Sequence, residues 1–324
     1  MSEKAYLTAV IEAYRQSMAA DDDVILLGED VQKALLNTSI GLADEFGEDR
    51  VRDTPIAEPG FTGIGVGAAM DGKRPIVEYQ INTIPHLTME QLVNNAARIH
   101  HMSNGQYSVP MTVTVPMAGS PGGLGPQHSE APHAGLMHYG MKQVIPSTPY
   151  DAKGLLLSAI EDDDPVVVYF PVVLQGDTGE VPDETYTVPL GEAAVRREGD
   201  DVTVVAVGET VPQATAVAEE FEGKANVEVI DLRTPLPLDE EAILNSVEKT
   251  GRVVVVDTGN RMCGAAAEVA ARIANKSLFD LDAPVKRVTR ADAPVSYSEP
   301  EEAEVLPDQA TISQAVEDVL SPTF

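Results

Sequence analysis

Glu58 opens the stretch of this chain best suited to acid–base chemistry. Pro59 and Gly60 follow it, and residues 53–70 read DTPIAEPGFTGIGVGAAM. A carboxyl at a helix start can exchange a proton with a ligand. It can equally serve as a capping carboxylate held by the positive end of the helix dipole. Gly60, Gly63, Gly65 and Gly67 form a loose glycine run. The run departs from the dinucleotide fingerprint, and it lacks the Gly-Lys-Ser/Thr ending of a phosphate loop. Close helix packing through small residues accounts for it as well.

A second block, VPMAGSPGGLGPQHS at 115–129, carries His128 near its end. It follows a β-branched run, and long Gly-rich loops after parallel strands are where active-site loops tend to lie. An imidazole there can donate, accept or hydrogen-bond near neutral pH. The alternative is a structural loop with an incidental histidine. His100 and His101 read as a solvated pair at a helix end. His133 and His138 are five apart, which is not the spacing of two metal ligands on one helical face. Asp162-Asp163-Asp164 precedes Pro165 and reads as a solvated turn, or as oxygen donors for a hard cation.

Composition excludes several other functions. The chain has 324 residues, with 52 Asp plus Glu against 22 Lys plus Arg, for a net charge of −30. That balance excludes a nucleic-acid binder, which needs Lys and Arg against phosphates. It also disfavours an anionic membrane surface. The single cysteine, Cys263, excludes an internal disulfide and a cysteine-based zinc site. No apolar run reaches the roughly 20 residues of a membrane span, and 1–17 has no signal-peptide core, so the expected location is cytoplasmic. The spread of acidic residues along the chain suggests a halophilic surface adapted to high salt, or a basic docking partner.

Apolar periodicity predicts the elements that would position these residues. Helices are expected over 5–18, 58–70, 87–101 and 150–160, and strands over 24–28, 75–78, 109–115 and 165–170. A polar stretch from 175 to 200 reads as a linker. A second alternating unit follows, with strands over 202–207, 227–230, 253–256 and 283–288. Its helices are expected over 209–221, 238–247, 264–273 and 312–320. Alternating helices and strands imply an α/β fold, with mostly parallel sheets flanked by helices.

Several motifs, in order along nearly the whole chain, carry a family resemblance. They are LGEDV at 27–31, FGEDRVRDTPIAEPGFTGIGVGAAMDGKRPIVE at 46–78 and QLVNNAARIHHMSNGQ at 91–106. GPQHSEAPHA at 125–134, VEVIDLRTPLPLD at 227–239, DAPVKRVTRADAPV at 282–295 and LPDQATI at 306–312 continue the series. The chain resembles the beta subunit of the thiamine-diphosphate-dependent decarboxylase component of 2-oxoacid dehydrogenase complexes. That family groups pyruvate, branched-chain 2-oxoacid and acetoin dehydrogenases.

The resemblance implies a transketolase-like pyrimidine-binding domain over 1–180, a linker over 181–198 and a transketolase C-terminal-like domain over 199–324 serving assembly. It implies oxidative decarboxylation of a 2-oxoacid with acyl transfer to lipoamide; an acetoin dehydrogenase subunit and a non-catalytic assembly relative are the alternatives. By the same resemblance, Glu58 would hydrogen-bond the cofactor's aminopyrimidine and His128 would serve acyl transfer. Ile56, Gln80 and Ile84 would contact the cofactor, Ile84 standing where relatives often place an aromatic ring. Potassium would be held at Met111, Ala159, Ile160, Asp162 and Asp164.

The family's Gly-Asp-Gly motif for magnesium and diphosphate is absent; Gly199-Asp200-Asp201 does not match it. In two-chain members that motif belongs to an alpha subunit. The implied assembly is two alpha and two beta chains, docked to a lipoyl acyltransferase core through its peripheral-subunit-binding domain.

Overall fold

The structure is a computed structural model that describes residues 1–119 and 122–322; Ser120 and Pro121, within the block 115–129, lie outside the described residues. Thirteen strands are described. They are β1 (Ser2–Ala5), β2 (Val24–Gly28), β3 (Val51–Asp53), β4 (Arg74–Glu78), β5 (Thr112–Ala118), β6 (Lys142–Val144) and β7 (Val166–Pro171). The others are β8 (Thr178–Val181), β9 (Ala194–Arg197), β10 (Val202–Ala206), β11 (Val227–Asp231), β12 (Val253–Asn260) and β13 (Lys286–Arg290).

Six strands form a wholly parallel sheet in the order β3-β2-β4-β5-β7-β6. The near-continuous apolar runs of β2 and β7 suit strands covered on both faces. Helix Tyr6–Ala20 buries Tyr6, Ala9, Val10, Ala13, Tyr14, Ser17 and Met18, a stripe at three- and four-residue spacing. That stripe packs with Leu155, Leu156 and Ile160 of helix Pro149–Glu161 over one face. Helix Glu58–Met70 covers the other, and Gly65 lets it approach closely: a Cβ there would come within 2.7 Å of Val77.

The second sheet has the order β13-β12-β10-β11-β9, with β9 antiparallel to β11 at its edge. The two sheets share apolar packing, because Ile145 and Tyr169 cluster with Val205, Leu232 and Val255. Gln143 N donates to Leu236 O at 2.7 Å and Ile145 N to Arg233 O at 2.8 Å across the seam.

Three local expectations change. The stretch 181–198 carries β9, whose alternating residues pair with β11 and close the edge of the second sheet. The expected helix over 87–101 divides into Ile84–Leu87, a π-helical turn Glu90–Ala97 and Ile99–Met102. In that π-turn the Asn95 side chain reaches back five residues to Glu90 O at 3.1 Å. The strand expected over 109–115 begins at Thr112 instead. No helix among the described residues is long and apolar enough to cross a membrane.

Candidate active site

Parallel α/β sheets place ligands beyond the carboxyl ends of their strands. Here that edge carries Gly28-Glu29 after β2, the loop to Glu58 after β3, and Tyr79 to Ile84 after β4. Glu58 is half-buried in the first turn of helix Glu58–Met70. It is not the cap: Ala57 holds that position and no side chain caps the helix. The carboxyl is therefore available for another partner.

A relay of hydroxyls ties this turn to Ile84. Thr62 Oγ1 donates to Glu58 O at 2.6 Å and lies 2.8 Å from Tyr79 Oη. Tyr79 Oη donates to Thr88 Oγ1 at 2.9 Å, and Thr88 Oγ1 to Ile84 O at 3.0 Å. Burial pushes the Tyr79 phenol well up, and the nearby Glu58 charge adds to that, so its proton stays on. Phe61 packs edge-on to Tyr79 at 6.1 Å. Ile84 is buried, whereas Ile56 is 82% exposed on the loop just before Glu58.

Gln80 Nε2 donates to Glu29 O at 2.7 Å, fixing the β2 and β4 loops to each other. Glu29 is buried beside Glu58. Burial first, then the charges of Glu58 and Asp30, raise its carboxyl above the ordinary value. Glu78 lies deeper, at the end of β4. Its carboxylate accepts from Thr38 Oγ1 at 2.9 Å and from Tyr14 Oη at 3.2 Å. Burial outweighs these bonds and raises it to about 7. A carboxylate closing the apolar strand Arg74–Glu78 was the available signal for it.

His128 sits half-buried in the short helix Pro126–Ser129. Thr83 Oγ1 donates to the carbonyl of the adjacent Gln127, which holds this turn against the loop that carries Gln80 and Ile84. The structure thus links Glu58, Gln80, Ile84 and the His128 turn through one hydrogen-bonded edge and leaves Ile56 at its rim.

Three buried polar atoms at this edge, Glu29 Oε1, Thr54 Oγ1 and Asn82 Oδ1, have no hydrogen-bond partner among the described residues. Orphaned polar atoms of this kind suit a polar heteroaromatic ligand. Glu29, Asp30 and Glu58 make the same edge acidic, so it fits a pyrimidine ring and does not fit a diphosphate.

The expected potassium ligands already have partners within the chain, and cations meet three of them, Ile160, Asp162 and Asp164. Arg74 Nη1 donates to Ile160 O and Asp162 O, both at 3.1 Å. Lys142 Nζ pairs with Asp162 at 2.8 Å and with Asp164 at 3.0 Å. Thr112 Oγ1 takes Ala159 O at 3.0 Å, and Val166 N takes Met111 O at 3.1 Å. A guanidinium and an ammonium thus share the Ile160, Asp162 and Asp164 oxygens of this set. Among the described residues no group of three His, Cys, Asp or Glu could hold a metal.

Residues 2–174 match the transketolase pyrimidine binding domain and residues 191–312 the transketolase C-terminal domain. The chain is 42% identical to the 2-oxoisovalerate dehydrogenase subunit beta of Bacillus subtilis (strain 168), covering 91% of each chain. It is 41% identical to that organism's acetoin:2,6-dichlorophenolindophenol oxidoreductase subunit beta, covering 92% of each. It is 38% identical to the same organism's pyruvate dehydrogenase beta subunit, covering 99% of each. A solved structure titled split gene transketolase, inactive beta4 tetramer, shares the fold at a TM-score of 0.80 and 20% identity, covering 98% of each chain.

Proposed function

Because this chain belongs to the family of beta subunits of the 2-oxoacid dehydrogenase decarboxylase component, we propose that it is half of an enzyme that decarboxylates a 2-oxoacid and passes the acyl group to lipoamide. Thiamine diphosphate would supply the stabilised carbanion on which such chemistry depends. The observation that carries the reading is Glu58, uncapped and half-buried at the carboxyl edge of the parallel sheet, beside the buried Glu29.

Glu58 would hold a proton at its carboxyl against the pyrimidine ring nitrogen. Gln80, Ile84 and the orphaned edge atoms would orient that ring, with Ile56 at the rim. His128 would hydrogen-bond or protonate the acyl group during transfer to lipoamide. Magnesium and the diphosphate would be held by an alpha subunit, because this edge is acidic and the chain lacks Gly-Asp-Gly. The exposed face of helix Glu58–Met70, with Gly60, Gly63, Ile64 and Gly67, supports a partner chain packed close to Glu58. The acidic surface supports docking to a basic peripheral-subunit-binding domain and adaptation to high salt, in an assembly of two alpha and two beta chains.

The test is co-purification with a matching alpha chain in molar potassium chloride, followed by titration of thiamine diphosphate with magnesium. Turnover of pyruvate, branched-chain 2-oxoacids and acetoin is then compared. Binding and turnover only in the paired chains is the expected result. Cofactor binding by this chain alone would overturn the divided site. Acetoin as the sole substrate would select that alternative, and no cofactor binding even in the pair would leave an assembly subunit.

A further inference from the structure

Residues 122–133, which carry His128, include Gly122, Gly123 and Gly125, all at positive φ. Such a segment has many accessible conformations and needs outside anchors to hold one of them. Most of its anchors come from the second sheet's domain. Glu302 Oε2 accepts from Gly123 N at 2.6 Å. The Tyr297 ring lies where a side chain at position 125 would have to go, and Tyr297 Oη donates to Gln127 Oε1 at 2.9 Å.

Arg290, at the end of β13 and 3% exposed, pairs with Glu130 at 2.9 Å and donates to Asn260 Oδ1. Asp257 of β12 meets His133 at 3.1 Å, with both side chains buried. The four grips fall at residues 123, 127, 130 and 133, on both sides of His128.

We propose that the C-terminal domain positions the active-site histidine, with Arg290 and Tyr297 as positioning residues that clamp segment 122–133 against the carboxyl edge of the parallel sheet. Neither residue reaches the reacting atoms; each acts through Glu130 or Gln127. The proposal rests on the reading of His128 as the acyl-transfer histidine.

The test uses the assembled alpha–beta enzyme carrying Arg290→Gln, Arg290→Lys, Tyr297→Phe or His128→Ala. Hydrogen exchange of peptides spanning 122–133 is followed without cofactor. Acyl transfer to a lipoyl domain is measured beside decarboxylation with an artificial electron acceptor. Arg290→Gln is expected to speed exchange in 122–133 by about tenfold and to lower kcat for acyl transfer by about tenfold, the scale of a modest misplacement. KM for the 2-oxoacid is expected to stay within about twofold. Arg290→Lys keeps the charge opposite Glu130 and is expected to restore part of both effects, and Tyr297→Phe to show smaller changes of the same sign.

Unchanged exchange in both Arg290→Gln and Tyr297→Phe would overturn the clamp. Faster exchange with full acyl transfer, when His128→Ala abolishes transfer, would overturn positioning. If His128→Ala transfers normally while exchange still rises in Arg290→Gln, the histidine reading fails and the clamp stands.

Discussion

Glu29 and Glu78, at the carboxyl edge of the six-stranded sheet, are buried with no cationic side chain bonded to them among the described residues, and both are pushed above the ordinary carboxylate value. Asp151, Asp231 and Asp257, at the seam between the sheets, are equally buried, but each faces a cation. Arg196 bridges Asp151 and Asp231, Arg233 reaches Asp151 at 2.8 Å, and His133 meets Asp257. Burial still leaves Asp231 above its ordinary value although Arg196 pulls it down. Burial also pushes Asp257 up, but His133 and backbone amides outweigh it and hold the carboxyl below its usual range. Glu29 and Glu78 can take up a proton without giving up an ion pair. The seam carboxyls, Asp231 included, are tied into ion pairs that fix geometry. A site that must exchange protons gains from the first arrangement, and a seam that must stay in register gains from the second.

The largest expected effect tests the edge. Glu58→Gln in the assembled enzyme should cut decarboxylation by about 10² to 10⁴, the usual contribution of a positioned acid–base group. Thermal unfolding should be nearly unchanged, since the side chain is half exposed and caps nothing. A melted Glu58→Gln chain would make this residue structural, like the seam carboxylates.

Removing Arg196 from the seam should cost the fold instead. Arg196→Met takes from Asp231 its cationic partner, while Arg233 still pairs with Asp151, and should lose roughly 3–5 kcal/mol in denaturant unfolding. Adding Asp231→Asn should recover part of the loss. No recovery would mean that packing, not charge, carries the seam.

Glu78 sharpens the contrast through pH. Its folded form holds the proton more tightly than the unfolded chain, from 4.5 up to about 7. Its contribution to stability should therefore be greatest below pH 4.5, fall as the pH rises to about 7 and then level off. The neutral Glu78→Gln should lack that slope and be more stable by about 3 kcal/mol above pH 7. An unaltered slope would show that Glu78 has a counter-charge after all.

The smallest effect concerns His133. Burial pushes its imidazole down, yet Asp257 more than offsets this and the ring ends above its ordinary value. The pair's contribution is complete below about pH 6.5 and fades as the pH rises through the folded value. His133→Gln should flatten that fall in an unfolding series from pH 6 to 9. Parallel curves would remove His133 from the set of paired seam residues.

Strong local patterns were legible along the chain. The apolar run Val24–Gly28 reads as a strand with the same bounds as β2, and Pro59 marks the start of helix Glu58–Met70. Three-residue strands such as β3 and β6 are too short to show a period, and β9 is polar enough to pass for a linker. The π-turn Glu90–Ala97 keeps a helical pattern while widening its hydrogen bonds. At the site, Glu58 and His128 stand out by type and context. The hydroxyl relay through Thr62, Tyr79 and Thr88 does not, because such residues are ordinary in helices and strands.

By itself the sequence determined the alternation of elements, the acidic surface and the motifs that place the chain in its family. Each of these is local, written in consecutive residues or in composition. Only the tertiary structure decided which carboxyls lose their water and which meet a cation. It set Glu29 beside Glu58, Arg74 and Lys142 in the expected potassium site, and Arg290, Tyr297 and Glu302 around a loop more than 150 positions earlier. The reason is physical: a charged group's behaviour follows from burial and from neighbours within a few ångströms, and neither is a property of sequence distance.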